Sequence, residues 1–187
     1  MKYVFLVITL VGLSFSATQA QTVLPEPDKS PMDMSYFPNR YPLLKIQDKT
    51  TEPPVTRVIY SRPQKNGRVI FGGLLEYGKV WRMGANEATE IEFYKEVMIN
   101  DVKIKKGRYT LYGIPNADKW TLIINKDTDT WGSFKYNAIN DIVRIDVPVQ
   151  KQTEITEAIA MVFEKTDNGA DLIIAWDDVK INLPIVF

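Results

Sequence analysis

The chain contains no cysteine and no histidine. Without cysteine there are no disulfides, so stability must come from the hydrophobic core. Together the two absences exclude histidine-dependent triads, His or Cys zinc and copper sites, thiol redox chemistry and c-type haem attachment. Any chemistry falls to carboxylates, Lys, Arg, Tyr, Ser, Thr or an oxygen-bound metal. Charge of one sign is lacking too, since 23 basic residues balance 23 acidic ones. A nucleic-acid binder concentrates Lys and Arg, as does a polybasic membrane-surface protein, so neither partner is expected. No cofactor and no metal is implied.

Long hydrophobic runs are scarce, and the longest opens the chain. Tyr3–Leu13 is apolar except for Thr9 and Gly12, follows Lys2 and leads into SFSATQA. Thr18 and Ala20 fit the −3 and −1 positions of a signal peptidase site. The run is shorter than the ~20 residues a membrane span needs, and no cysteine follows it to carry a lipid anchor. Residues 1–20 therefore read as a signal peptide, and the protein as exported, periplasmic or extracellular. No integral membrane segment is expected after cleavage. The remaining 167 of 187 residues suit one domain.

Seven of the eleven prolines fall at positions 25, 27, 31, 38, 42, 53 and 54. That density opposes a regular helix or an interior strand. Residues 21–54 read as a tether followed by an extended arm, with Met32, Met34, Tyr36 and Phe37 available for burial. From Val55 onwards strand signals recur. Ile91 and Phe93 alternate with Glu90, Glu92 and Tyr94, as in a half-buried strand. Asn100-Asp101 lies between short apolar runs as a tight hairpin turn. Arg108–Ile114, Trp120–Asn125 and Val143–Val149 follow, and Asp167-Asn168-Gly169 separates Ile159–Phe163 from Leu172–Trp176. Val179–Leu183 closes the series. Eight or nine short strands at this spacing predict an all-β, antiparallel β-sandwich over residues 55–187, a jelly roll being one form of it. Only Asn137–Ile142 reads as a short helical turn.

Within this pattern Ser61–Thr89 stands apart, SRPQKNGRVIFGGLLEYGKVWRMGANEAT. The runs SRP-x-x-x-GR at Ser61–Arg68 and WR-x-GANEAT at Trp81–Thr89 resemble a secreted bacterial family, domain-of-unknown-function family 2911. GRYTLYGIP at 107–115, WTLIINKDTDTWGSFKY at 120–136 and the closing LIIAWDDVKINLPI extend the resemblance over nearly the whole mature chain. It implies export and a single all-β domain, and it supplies no activity and no catalytic residues.

Arg62, Arg68, Arg82, Asn86 and Glu87, with Tyr77 and Trp81, are the candidate ligand-binding residues. Arginine presents a planar fork of donors suited to anions. Tyr77 and Trp81 offer aromatic walls, and glycines let a backbone approach a ligand. The competing reading puts Trp81 in the core, ties Arg82 to a carboxylate and leaves the glycines to turns. Glu90 and Glu92 share one strand face about 6.6 Å apart, near the spacing of inverting glycosidases, ~6.5–9.5 Å. A solvated strand face explains the pair equally. Asn125, Asp127 and Asp129 have the 1, 3, 5 spacing of a calcium loop, but Thr130 stands where glycine is required and Tyr136 where the bidentate glutamate belongs. A turn whose side chains bond their own backbone is the other account. Among Trp120, Trp131, Phe134 and Tyr136, the pair Trp131 and Phe134 lies past the strand, where exposure would point to a binding platform.

Three functions follow. The first is a non-enzymatic binding domain for a small polar, anionic or glycan ligand in the cell envelope. The second is a glycan-directed envelope hydrolase using Glu87 as acid or base. The third is a structural envelope domain. Whichever holds, protein recovered from the envelope is expected to begin at Gln21. Intact-mass measurement checks this, and a mass retaining residues 1–20 contradicts it.

Overall fold

In most strands, alternation of apolar and polar residues sets one face against a shared core. The computed structural model describes residues 22–187, so the expected signal peptide lies outside the described residues. The strands are β1 (Met32–Phe37), β2 (Thr56–Ser61), β3 (Glu90–Phe93), β4 (Val97–Ile99), β5 (Val102–Ile104), β6 (Gly107–Pro115), β7 (Lys119–Asn125), β8 (Asp141–Pro148), β9 (Gln150–Thr166) and β10 (Gly169–Val186). They form two antiparallel sheets packed as a sandwich, one of order β1-β2-β3-β6-β7-β8 and one of order β5-β4-β10-β9. Among the described residues no helix is long and apolar enough to cross a membrane.

The expected inward faces are the observed core. Ile91, Phe93, Leu122, Ile124, Val143, Val147, Ile159, Met161, Phe163, Leu172, Ile174, Ile181 and Leu183 are buried together, and Ile145 packs against them. Asn100 and Asp101 occupy left-handed backbone, φ 50° and 61°, in the β4–β5 hairpin. Positive φ at both central residues is what a two-residue hairpin turn matched to strand twist demands.

Two features depart from the linear reading. The proline-rich arm supplies the edge strand β1, which pairs with β2 over its whole length, and then a short helix α1, Tyr41–Ile46. Pro42 fits there because the first helical turn needs no intrahelical N–H. The final strands also run on as β10. An extended chain covers about 3.3 Å per residue, yet Phe187 N–H donates to Asn168 O at 3.2 Å. The chain therefore reverses within β10, and Asp177, at φ 55° between two register shifts, marks the place.

An edge strand leaves a row of unpaired backbone groups. Along β9 these are satisfied from the opposite sheet. Arg62 Nε donates to Ile159 O at 2.9 Å, Ser35 Oγ to Met161 O at 2.5 Å, and Asn39 Nδ2 to Phe163 O at 2.7 Å. The buried Tyr60 hydroxyl accepts from Met161 N–H at 2.9 Å. In a protein without disulfides, this seam closes one side of the sandwich.

The reversal in β10 leaves no space at Gly169, where an added Cβ would overlap the Ile185 carbonyl oxygen. Gly169→Ala is expected to cost about 3 kcal/mol, because a backbone atom cannot rotate away as a side chain can. Urea denaturation checks this, and a wild-type midpoint would contradict the reversal.

Candidate functional site

The polar segment Ser61–Thr89 is anchored at several points. Gln64 bridges to Ala158 of β9, and Ile70 is buried in the core with Phe71 packed against it. Trp81 exchanges backbone hydrogen bonds with Gly113 of β6 at 2.7 and 3.0 Å. Its indole stacks on Trp176 at 5.8 Å, meets Trp120 edge-on at 5.9 Å, and donates to Gly84 O at 3.2 Å. Thr89 N–H returns to Arg82 O at 3.0 Å, while Thr89 O accepts from Leu111 N–H at 2.8 Å. Met83–Ala88 is thus a short excursion whose two ends both lie beside β6.

The seven candidate residues separate. Arg62 is spent on the seam and on Asp33, whose carboxylate it meets at 3.0 Å. Tyr77 lies partly exposed over the left-handed turn at Gly72, where a Cβ would come within 3.0 Å of its ring. Arg68, Trp81 and Arg82 line one cavity of about 240 Å³. Glu87 lines another, of about 270 Å³, with Glu90, Asp129 and Thr130. Asn86 Nδ2 donates to Asp28 at 3.0 Å. Trp81 is a core residue, whereas Arg82 has no carboxylate partner among the described residues.

What the motif does next is position a second loop. Ala88 N–H donates to Thr130 O at 2.9 Å and Gly132 N–H to Asn86 O at 3.0 Å, making a bridge between Glu87 and Trp131. Ser133 Oγ adds a bond to Val80 O at 3.0 Å, and the Tyr136 ring meets Tyr112 edge-on at 5.2 Å. The loop therefore lies fixed on the outer face of the six-stranded sheet, over a small apolar cluster of Ala88, Tyr112 and Ile123. Trp131 remains 62% exposed and Phe134 85% exposed. Beneath them is a pocket of about 420 Å³, lined by Tyr112, Asp129, Thr130 and Lys135. It shares Asp129 and Thr130 with the Glu87 pocket, so the two pockets are neighbouring parts of one groove.

Charges along the groove are ordered. Glu90 accepts from Arg108 at 3.0 Å and from Asp129 N–H at 2.9 Å, while Arg108 also meets Asp129 at 2.5 Å. The Arg108 hydrogen bond, with Thr128 second, holds the Asp129 carboxyl below its ordinary range. Glu92 is matched to Arg57 at 2.8 Å. The Glu90 and Glu92 carboxylates are thus each paired across strands, the arrangement of a solvated sheet face. In the calcium-like run, Asn125 accepts from Asp127 N–H at 2.9 Å and Thr128 donates to Asp129 at 2.9 Å, so its side chains serve the turn.

At the foot of the loop, the Tyr136 hydroxyl donates to Asp141 at 2.6 Å and accepts from Arg144 at 2.5 Å. Burial first, and the Asp141 bond second, push its phenol up to about 12. A raised folded-state pKa means the folded protein holds that proton more tightly. Its stabilisation is complete below the ordinary tyrosine value of about 10 and is lost as pH rises through about 12. Melting temperature is expected to fall across that window, and to fall less steeply in Tyr136→Phe. Melts at graded alkaline pH check this; parallel profiles would contradict it.

Comparison with known proteins adds membership without an activity. No curated protein and no solved structure gives a significant match. A family model described as "Protein of unknown function (DUF2911)" matches residues 43–185, a span that takes in β2 to β10, the Trp81 anchor and the aromatic loop. The chain belongs to that family, domain-of-unknown-function family 2911.

Proposed function

We infer that this protein is an exported, non-enzymatic binding domain whose ligand is a polyhydroxyl compound, a glycan of the cell envelope, held along the groove beneath Trp131 and Phe134. The observation that carries the reading is that fixed, exposed aromatic pair. Large aromatics default to the core, and here they stand outward on a loop bonded backbone to backbone to Asn86 and Ala88. A loop already held in place loses little freedom when a ligand arrives. Flat apolar rings suit the C–H faces of a sugar, and the neighbouring Glu87 and Asp129 carboxylates suit its hydroxyls as acceptors. Export is supported by the Lys2–Ala20 sequence pattern.

A hydrolase would want a carboxylate shielded enough to carry a proton near neutral pH. Glu87 is exposed, and Glu90 is committed to Arg108. The groove suits holding a ligand better than cleaving one.

Trp131→Ala and Phe134→Ala are each expected to weaken oligosaccharide binding about tenfold, from lost stacking and apolar contact. Both side chains are exposed, so melting should stay close to wild type. Titration of soluble chito-oligosaccharides and peptidoglycan fragments, followed by calorimetry and tryptophan fluorescence, is the test. A folded protein that binds none of them ends the glycan reading.

A further inference from the structure

The Arg82 cavity lies apart from the groove and has a different chemistry. It is about 240 Å³, lined by Arg68, Arg82, Trp81, Trp176, Leu74 and Ser30 among others, and none of its lining residues is acidic. Arg68 already donates from Nε to Lys65 O at 2.9 Å and from a terminal nitrogen to Gln64 O. Those bonds hold its guanidinium in place and leave further donors, since arginine has five. Arg82 is different. Its Nε is buried without a hydrogen-bond partner, and no carboxylate pairs with the side chain among the described residues.

Arg82 is half-buried, and withdrawing a cation from water even in part without a counter-charge is unfavourable; proteins ordinarily supply a paired acid. Desolvation accordingly draws the Arg82 guanidinium below its ordinary range. The fold spends structure on keeping the arginine here. Trp81 beside it is locked by two indole contacts and a backbone bridge. Gly84 next to it has no room for a side chain without pressing on Ser61, whose carbonyl would lie 3.0 Å from an added Cβ. The N-terminal segment completes the wall through Ser30, while Asp28 is clasped to Asn86 at 3.0 Å.

We propose that this cavity is a second binding site, for a small organic carboxylate with an apolar body, whose carboxylate is received by Arg82 with Arg68 beside it and whose body lies against Trp81, Trp176 and Leu74. A planar guanidinium fork matches a carboxylate in two parallel bonds. Leu74, half-exposed, and Leu75, with the little of Trp81 and Trp176 that remains accessible, offer an organic acid apolar contact that a fully hydrated ion such as inorganic phosphate lacks. The volume, below the roughly 300–1,000 Å³ of drug-sized pockets, limits the occupant to a compact acid. The site rests on none of the groove residues, so it stands or falls independently of the glycan reading.

The test uses the mature chain with benzoate and 3-methylbutanoate as probes, their neutral amides as matched controls, and inorganic phosphate as the competing anion. Calorimetry and indole fluorescence read binding at Trp81 and Trp176, and ligand-induced shifts in melting give a second readout. The carboxylates are expected to bind at least about tenfold more tightly than their amides, as loss of a charged hydrogen-bonded partner implies. Arg82→Gln should abolish that preference, whereas Lys165→Gln, an exposed cation elsewhere, should leave it unchanged. Should Arg82→Gln fold poorly, Arg82→Lys keeps the charge without the planar fork, and it too is expected to lose at least about tenfold. Equal binding of acids and amides overturns the proposal, as does phosphate binding in preference to the carboxylates. Absence of any bound anion, with wild-type protein folded, assigns Arg82 to solvent alone and also overturns it.

Discussion

The packing of the Trp81 indole between Trp120 and Trp176 is the interaction on which both candidate sites depend. Ser61–Thr89 is rich in glycine and charge, and such a segment would ordinarily wander over the surface. Trp81 takes it into the core in mid-course, and the bridge to Gly113 fixes its height along β6. Everything nearby inherits that position. Arg82, one residue on, falls at the rim of the core, half withdrawn from water. Asn86–Ala88, a turn further, falls opposite Thr130–Gly132 and pairs with it. Gly113 is part of the same device, since a side chain there would collide with buried Met83.

The absence of disulfides shapes the rest. Small domains often rely on such bonds where the core is insufficient. Here side chains from β1, β2 and the segments beside them occupy successive carbonyls of β9, and the buried Tyr60 hydroxyl spans the same seam. The neutral hydrogen bonds among them contribute about 1 kcal/mol each and the charged Arg62 bond somewhat more, and their larger effect is to cover the Ile159–Phe163 stretch of the β9 edge. Arg62 therefore resembles a ligand residue in sequence and acts as a seam residue in structure. An arginine in an unusual segment is legible as unusual; whether it faces a ligand or a neighbouring strand's carbonyl depends on pairing across 97 positions.

Much of the fold was legible because alternation and turn chemistry are local. Asn100-Asp101 announced its hairpin, and Ile91/Phe93 or Val143/Val147 announced an inward face, without any knowledge of partners. The reversal in β10 falls at Asp177, between the two apolar runs Leu172–Trp176 and Val179–Leu183. Less legible was the outer cover of the six-stranded sheet. Leu111-Tyr112 and Leu122-Ile123-Ile124 are buried without interruption, and such runs mean that both faces are covered. Read in that way, they would have signalled that something lies over β6 and β7. The cover is the 126–137 loop, and identifying it required the Asn86–Gly132 and Glu87–Trp131 pairings, which no local pattern contains.

Those pairings also explain why one distinctive motif serves two places. WR-x-GANEAT stands out in the sequence because it collects arginine, asparagine and glutamate around glycine. Its first half, Trp81-Arg82, contributes to a small cation-lined cavity. Its second half, Asn86-Glu87-Ala88, uses mostly backbone to present Trp131 and Phe134, which carry the exposed aromatic surface. The asparagine accordingly adopts φ 58°, a left-handed conformation that asparagine tolerates better than most side chains. Its amide holds Asp28 while its carbonyl holds Gly132. A residue that joins the N-terminal segment to the aromatic loop gives the two sites a shared support, even though their lining residues are distinct. The physical unit is therefore the excursion Met83–Ala88 with its two anchored ends, and the chemistry on either side follows from where those ends are held.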